Sequence, residues 1–390
     1  MSKFVDAWKK IAIWKKILMS LLIILSAGAG FGVAKVQTMV NHSLSQITRD
    51  IDTSLNTVDL EGIKVHSDDE VINILLIGDD YREYDGSTSP GLYDVIMIAT
   101  MDKKHGTLKL TSIMRDTLVN VAGQDKYMKI NASGKKEFGG IKNLYKTIAQ
   151  NFNIKVDGYA KVGFDAFKKV VDAVGGVELE LTESEVKYLN HTNYIWNKKD
   201  RNLKVGKQVL NGNQALGYAR IRKGLDVIGE PVKTVSGLID DPGRTWRHRA
   251  VLSAVFDRMK TQPLSKWVEV ANNVLSDVTT DLDNKTIMSY MKDVITLGTT
   301  EVEQFRIPMD GYFYDDRNNE FPDAQGWSLV PTAGYARSYD PSACAEALKE
   351  FIFDHDGKEE YKYTKSSGST PEEDSEDGED SSASNGDDNE

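Results

Sequence analysis

Between residues 71 and 181 short apolar runs alternate with helical periods, and that alternation leaves few folds open. Residues 71–77 form an apolar run ending in Gly78-Asp79-Asp80, the pattern of a buried strand that feeds a loop. Residues 94–99 read as a second strand. Lys104-His105-Gly106-Thr107 then turns the chain into a third, the β-branched run 108–113. Residues 138–152 carry Ile141, Leu144, Tyr145 and Ile148 at helical spacing. A strand follows at 159–162, a helix at 164–174 closed by Gly175-Gly176, and a strand at 177–181. Such interleaving predicts an α/β/α layered domain around a central mixed sheet. Beyond Asn211 the periods become helical, over 213–222, 244–259 and 285–297. A strand at 302–307 and a helix at 343–353 complete a domain spanning 71–364. Residues 224–243, rich in Gly, Pro and Asp, read as a loop between two arginine-bearing helices.

The flanks are of a different character. Residues 17–34 are uncharged and apolar, about the minimum length that spans a bilayer core as a helix. Lys3, Lys9, Lys10, Lys15 and Lys16 precede this run, opposed by Asp6 alone. The positive-inside rule then predicts one N-terminal transmembrane helix, with residues 1–16 cytoplasmic and the chain beyond Lys35 outside. Ala27-Gly28-Ala29 resembles a signal-peptide cleavage site, but Phe31, Val33 and Ala34 continue the apolar stretch and favour an uncleaved anchor. Residues 35–70, polar and mixed in charge, read as an extracellular stalk. Residues 365–390 form an acidic tail of disordered composition. The residues from Ser366 onward account for most of the formal charge of −11; without them the chain is near −1. The single cysteine, Cys344, excludes an intramolecular disulfide.

Against that near-neutral body, five of the thirteen arginines fall within thirty residues, at Arg220, Arg222, Arg244, Arg247 and Arg249. Guanidinium groups are permanently charged forks that grip phosphate oxygens in pairs. Arg115 ends the third strand and is placed to converge with them. Arg244 and Arg247, three apart on a helix, are expected on one face, with Trp246, Ala250 and Ala254 forming a core stripe on another. Asp241 and Pro242 suit the helix start, which would put Arg244 in its first turn, where free amides favour an anion. Arg220 and Arg222 cannot share a face of a regular helix, and Arg220 lies closer to the core residues Leu216 and Tyr218.

Asp80 and Asp94 flank the first loop, and two carboxylates beside arginines suit Mg²⁺, or Mn²⁺, bridging to phosphate. Asp116 could orient Arg115 or accept a proton from an attacking hydroxyl. The six histidines are scattered and no cysteine joins them, which argues against zinc. No Gly-x-x-x-x-Gly-Lys-Ser/Thr loop and no Gly-x-Ser-x-Gly elbow is present.

Ordered segments of the chain resemble the motifs of the LytR–CpsA–Psr family. They are residues 73–82, 93–97, 110–117 (Leu-Thr-Ser-Ile-Met-Arg-Asp-Thr), 129–132 (Lys-Ile-Asn-Ala), 167–177 and 210–222 (Leu-Asn-Gly-Asn-Gln-Ala-Leu-Gly-Tyr-Ala-Arg-Ile-Arg). The resemblance implies a membrane-anchored, Mg²⁺-dependent phosphotransferase on the outer face of a Gram-positive-type envelope. Its partners would be a polyprenyl-pyrophosphate-linked glycan, peptidoglycan and membrane lipid. The glycan would be teichoic acid, capsular or another wall polysaccharide, joined to a peptidoglycan hydroxyl by a phosphodiester. Carried over by motif, Asp80 and Asp94 would serve the metal. Arg82, Arg115, Arg220, Arg222, Arg244 and Arg247 would hold the pyrophosphate, with Arg115, Asp116, Arg244 and Arg247 at the reacting phosphate. Met114 stands where the family has Pro, and His248 where it has Gln. A non-catalytic lipid-phosphate scaffold and a pyrophosphate hydrolase share these residues. Nucleic acid is an unsuitable partner, because the body is not basic and lies beyond the predicted anchor.

Overall fold

The computed structural model describes residues 48–49, 54–79, 92–260, 262, 266–267, 269–270, 277–299, 301–334 and 337–363. The predicted span 17–34, Asp80, Arg82 and the acidic tail lie outside them. Among the described residues no helix is long and apolar enough to cross a membrane.

One mixed sheet organises the domain. Its strands are β1 (Thr48–Arg49), β2 (Val71–Asp79), β3 (Tyr93–Asp102), β4 (Thr107–Ile113), β7 (Gly158–Gly163), β10 (Val278–Thr280) and β11 (Val302–Ile307). They run in the order β1-β10-β7-β2-β3-β4-β11. The centre, β2-β3-β4, is an antiparallel meander, whereas β7 adds to β2 and β11 to β4 in parallel. Three ribbons stand apart: β5 (Leu118–Asn120) with β6 (Tyr127–Lys129), β8 (Val177–Leu181) with β9 (Gly206–Leu210), and β12 (Phe313–Asp316) with β13 (Ser328–Pro331).

Strand parity sends alternate residues of β2 and β3 to different layers. Leu75, Ile77, Ile96 and Ile98 pack into a core with helix α1 (Ile141–Phe152) and helix α8 (Ser342–Lys349). Leu76, Gly78, Val95 and Met97 face the other layer. That layer holds helices α2 (Phe164–Ala173), α3 (Glu183–His191), α4 (Gly212–Arg220) and α6 (Asp240–Lys260), which share a second core with the β8–β9 ribbon. Short α5 (Leu225–Ile228) and α7 (Asn284–Leu297) lie nearer the surface, with no buried residue in either. The α/β/α prediction describes this arrangement. The stripe of Trp246, Ala250 and Ala254 does pack on the second core.

Two sequence expectations are corrected. The stalk does not extend to residue 70: Leu55 is buried in the first core, and Val58, Leu60, Ile63 and Val65 pack against it. Asp281 Oδ2 also accepts the Leu55 amide at 2.8 Å. The loop 224–243 contains α5 and ends early, because α6 begins at Asp240. Arg244 therefore sits one turn inside the helix and not in its first turn. Proline in a first turn costs no helical hydrogen bond, so Pro242 allows the earlier start.

Candidate phosphate site

A cavity of about 260 Å³ separates the sheet from α2, α4 and α6. Its walls are apolar almost throughout: Val95, Met97 and Val162 from the sheet, Phe167 and Val170 from α2, Leu216 from α4, Leu252 and Val255 from α6. Three polar residues join its lining, Asp94, Arg220 and His248.

From there a row of charges crosses to the start of α6. Arg115 Nη1 donates to Asp94, and its Nε reaches Asp116 Oδ2 at 3.3 Å. Asp116 also faces Lys129 Nζ and Arg222 Nη2, each at 3.9 Å. Arg222 continues to Asp241 at 2.7 Å, and Asp241 meets Arg244 Nη2 at 2.7 Å. Strand ends, the segment after α4 and the first turns of α6 thus bring three arginines and a lysine onto three aspartates.

The electrostatics of the row favour an incoming anion. Burial alone would raise the Asp94 carboxyl, but the charge and hydrogen bond of Arg115, with the charge of Arg244, hold it below the ordinary aspartate value. Arg115 is held protonated, since Asp94 and Asp116 outweigh its burial. Arg244 binds its proton less tightly than usual: burial and the like charges of Arg115 and Arg222 outweigh Asp241 and Asp94. Its buried Nε also has no hydrogen-bond partner among the described residues. An unsatisfied buried donor is costly, and a phosphate oxygen would satisfy it. His248 is neutral, its pKa pushed down to about 3 by burial first and Arg244 second.

Arg220 lies against the rings of Phe164 and Tyr194, 5.0 and 5.3 Å from their centroids, and so is steered by stacking rather than by a carboxylate. Arg222, one residue past the helix cap, escapes the helical face argument, which is how both join the site.

Arg247 does not. Its side chain is fully buried in the second core, Nε bonding Glu185 Oε1 at 2.8 Å, with the Ile221 and Val232 carbonyls and the Tyr218 ring as further partners. The expectation that it holds pyrophosphate is therefore corrected. A buried carboxylate on α3 claims it, and Glu185 is fixed by its capping box with Thr182. Arg249 points toward β11, where Gln304 accepts from it. Two participants were missed. In the sequence Lys129 stands out only within the Lys-Ile-Asn-Ala motif, and Asp241 only as a helix-start residue. Lys129 ends β6, and its pairing opposite Leu118 brings it to Asp116; that register leaves no local signal in the sequence.

Among the described residues no group of three or more His, Cys, Asp or Glu could by itself hold a metal ion. Asp94 is ionised and partly exposed at the cavity wall, so it can supply one oxygen ligand, and Mg²⁺ commonly takes one or two carboxylates plus phosphate oxygens.

A family model described as the LytR_cpsA_psr family matches residues 33–325. Among curated proteins the chain is 27% identical over 309 residues to a polyisoprenyl-teichoic acid–peptidoglycan teichoic acid transferase TagU of Bacillus mycoides, covering 78% of this chain and 89% of that one. It is 29% identical over 269 residues to the transferase TagV of Bacillus subtilis, covering 68% and 62%. The solved structure of B. subtilis TagV superposes with a TM-score of 0.52 at 24% identity, over 73% of this chain and 98% of that one. A structure titled as TagT bound to LI-WTA gives 0.52 at 20%, over 75% and 97%.

Proposed function

The chain belongs to the LytR–CpsA–Psr family, and from that premise we propose that it transfers a lipid-carried wall glycopolymer to peptidoglycan. The polymer, of the teichoic acid, capsular or other wall polysaccharide class, would leave a polyprenyl-pyrophosphate carrier with one phosphate. It would end as a phosphodiester on a peptidoglycan sugar hydroxyl. The single observation that carries this is the apolar cavity opening directly on the arginine row. A hydrocarbon chain and a pyrophosphate joined end to end fit that pairing, and few other metabolites do.

The roles follow from position. The isoprenoid would lie among Val95, Phe167, Leu216 and Leu252. Arg115, Arg220, Arg222 and Arg244 would hold the pyrophosphate, and the unpartnered Arg244 Nε would take one of its oxygens. Asp116, flanked by Arg115, Lys129 and Arg222, orients these cations; that setting suits orientation better than proton acceptance. Asp94, with Asp80, would hold Mg²⁺, which when bound neutralises charge on the phosphate oxygens. Phosphoryl transfer gains mainly from such positioning and charge stabilisation. The run 17–34 would anchor the domain beside its lipid substrate.

Incubating the purified chain with a lipid-pyrophosphate-linked glycan, a peptidoglycan oligomer and Mg²⁺ tests the reading. A covalent phosphodiester with release of lipid monophosphate is expected. Free sugar phosphate would instead identify a hydrolase, and tight binding without any product a scaffold. Chelation should abolish turnover, and activity surviving it would remove the metal.

A further inference from the structure

A second cleft, of about 540 Å³, opens on the far side of the arginine row. Arg222 and Asp241 form its inner wall, and Lys223, Asp315, Arg317 and Trp327 lie around it, with Phe313 beside them. We infer that this cleft receives the acceptor glycan, and that Trp327 is its sugar-stacking platform. The inference rests on the transfer proposed above.

Three observations support it. The first is direction. In phosphoryl transfer the attacking and leaving oxygens lie roughly in line across phosphorus. The leaving group is lipid phosphate, and its hydrocarbon belongs in the apolar cavity. An attacking hydroxyl must then arrive from the other side of the charges. Asp94, Arg220 and His248 line the cavity, Arg222 and Asp241 line the cleft, and Arg115, Asp116 and Arg244 stand between. The acceptor oxygen forms the new P–O bond, the bridging P–O bond to the lipid phosphate breaks, and the proton leaves through the open cleft to solvent.

The second is chemistry. Phe313 and Trp327 are half-buried rings beside carboxylate, guanidinium and ammonium groups. Aromatic faces flanked by a few polar groups suit a sugar, which has an apolar C–H face and a rim of hydroxyls. The volume falls within the ~300–1,000 Å³ of small-ligand sites. The third is rigidity. The outer wall is the β12–β13 ribbon, and Leu329 N donates to the Asp116 carbonyl at 2.9 Å while Leu329 bridges to Thr117. The cleft is therefore registered on the residue that follows Arg115, so a sugar on Trp327 is held at a fixed place relative to the phosphate site.

The test measures binding of a soluble, undecorated peptidoglycan oligomer to the full-length chain in detergent by calorimetry. Affinity for a polyprenyl pyrophosphate without glycan, and for the glycan-bearing donor, is measured in parallel. Trp327→Ala, and separately the exposed Arg317→Ala, should weaken the oligomer by about tenfold or more. Both should leave the two lipid ligands and the melting temperature unchanged, and raise KM for the oligomer rather than lower kcat. Oligomer binding that persists in both variants would overturn the assignment. So would a selective loss of the glycan-bearing donor, which would give the cleft to the donor sugar. Loss of oligomer binding in a protein that forms no transfer product would leave the cleft in place and remove the transferase reading instead.

Discussion

Arg244 and Arg247 are less than one helical turn apart, yet their removal should injure the protein in different ways. Arg247→Ala leaves the Glu185 carboxylate buried without its partner, a defect worth about 3–5 kcal/mol. Thermal unfolding should show that loss, while the folded fraction keeps its specific activity. Adding Glu185→Gln to Arg247→Met keeps the Thr182 cap and should recover most of the stability; an uncorrected loss would mean the pair is not the cause. Arg244→Ala should do the reverse, costing on the order of 10²–10³ in transfer rate with little change in melting temperature, since Asp241 keeps Arg222. Lysine at 244 should rescue only partly, because a point charge cannot reproduce the fork. Spacing on the helix could not separate the two residues, because what separates them is a carboxylate some sixty positions away on α3. Arg115, in contrast, was legible: a strand end followed by Asp116 places it without any long-range knowledge. His248 gives a pH test. Its pKa is near 3 in the fold and about 6.5 unfolded, so below pH 6.5 the unfolded chain binds the extra proton. Its contribution to stability is complete above that pH and shrinks as pH falls toward 3. Asp94, held below its ordinary 3.8, loses its contribution only at lower pH. His248→Gln should therefore narrow the gap in melting temperature between about pH 7 and pH 4.5, and an equal gap in both proteins would show that His248 is not buried neutral.

At the level of elements, the site depends on β2 and β3 presenting alternate residues to two layers. β4 and β11 were legible to within a residue because each is a short run bounded by turn signals, Gly106 before β4 and Gly298 and Pro308 around β11. The ribbon partners β9 and β12 were not legible, since pairing across intervening chain leaves no local period. The cavity itself was invisible in sequence. It arises because Gly78 lets β2 approach Val95, where a Cβ would come within 2.7 Å, and because α2 and α4 close on each other at Gly212, where a Cβ would meet the Lys168 carbonyl at 2.3 Å. The first contact tightens the sheet beneath the cavity, and the second holds two of the helices above it together. Affinity for isoprenoid pyrophosphates should accordingly rise with chain length, by up to ~0.8 kcal/mol per buried methylene until the cavity is filled. Leu252→Trp places an indole in that space and should flatten this dependence while sparing the shortest ligand, whose affinity comes from the arginines. A length dependence identical to that of the unaltered chain would place the hydrocarbon elsewhere.

For the whole molecule the governing relation is between a near-neutral domain with a local positive site and the bilayer-borne lipid donor proposed above. A charge distribution of this kind does not draw the protein to anionic surfaces at long range, so proximity has to come from a tether. We propose that the run 17–34 is that tether, since its length and the lysines before it suit the role. Tethering converts encounter with a lipid donor into a local event at high effective concentration, a gain of roughly 10²–10⁴ that needs no new contact. Removing residues 1–34 should therefore leave binding of a short, water-soluble isoprenoid pyrophosphate unchanged, because the cavity and arginine row are intact. Turnover of a donor embedded in vesicles should fall by about 10² or more at equal protein concentration. In wall-stripped cells, protease added outside should remove the domain of the full chain. Equal turnover of vesicle donor by both forms, or a domain protected from that protease, would show that the N-terminal run does not hold the enzyme at its substrate.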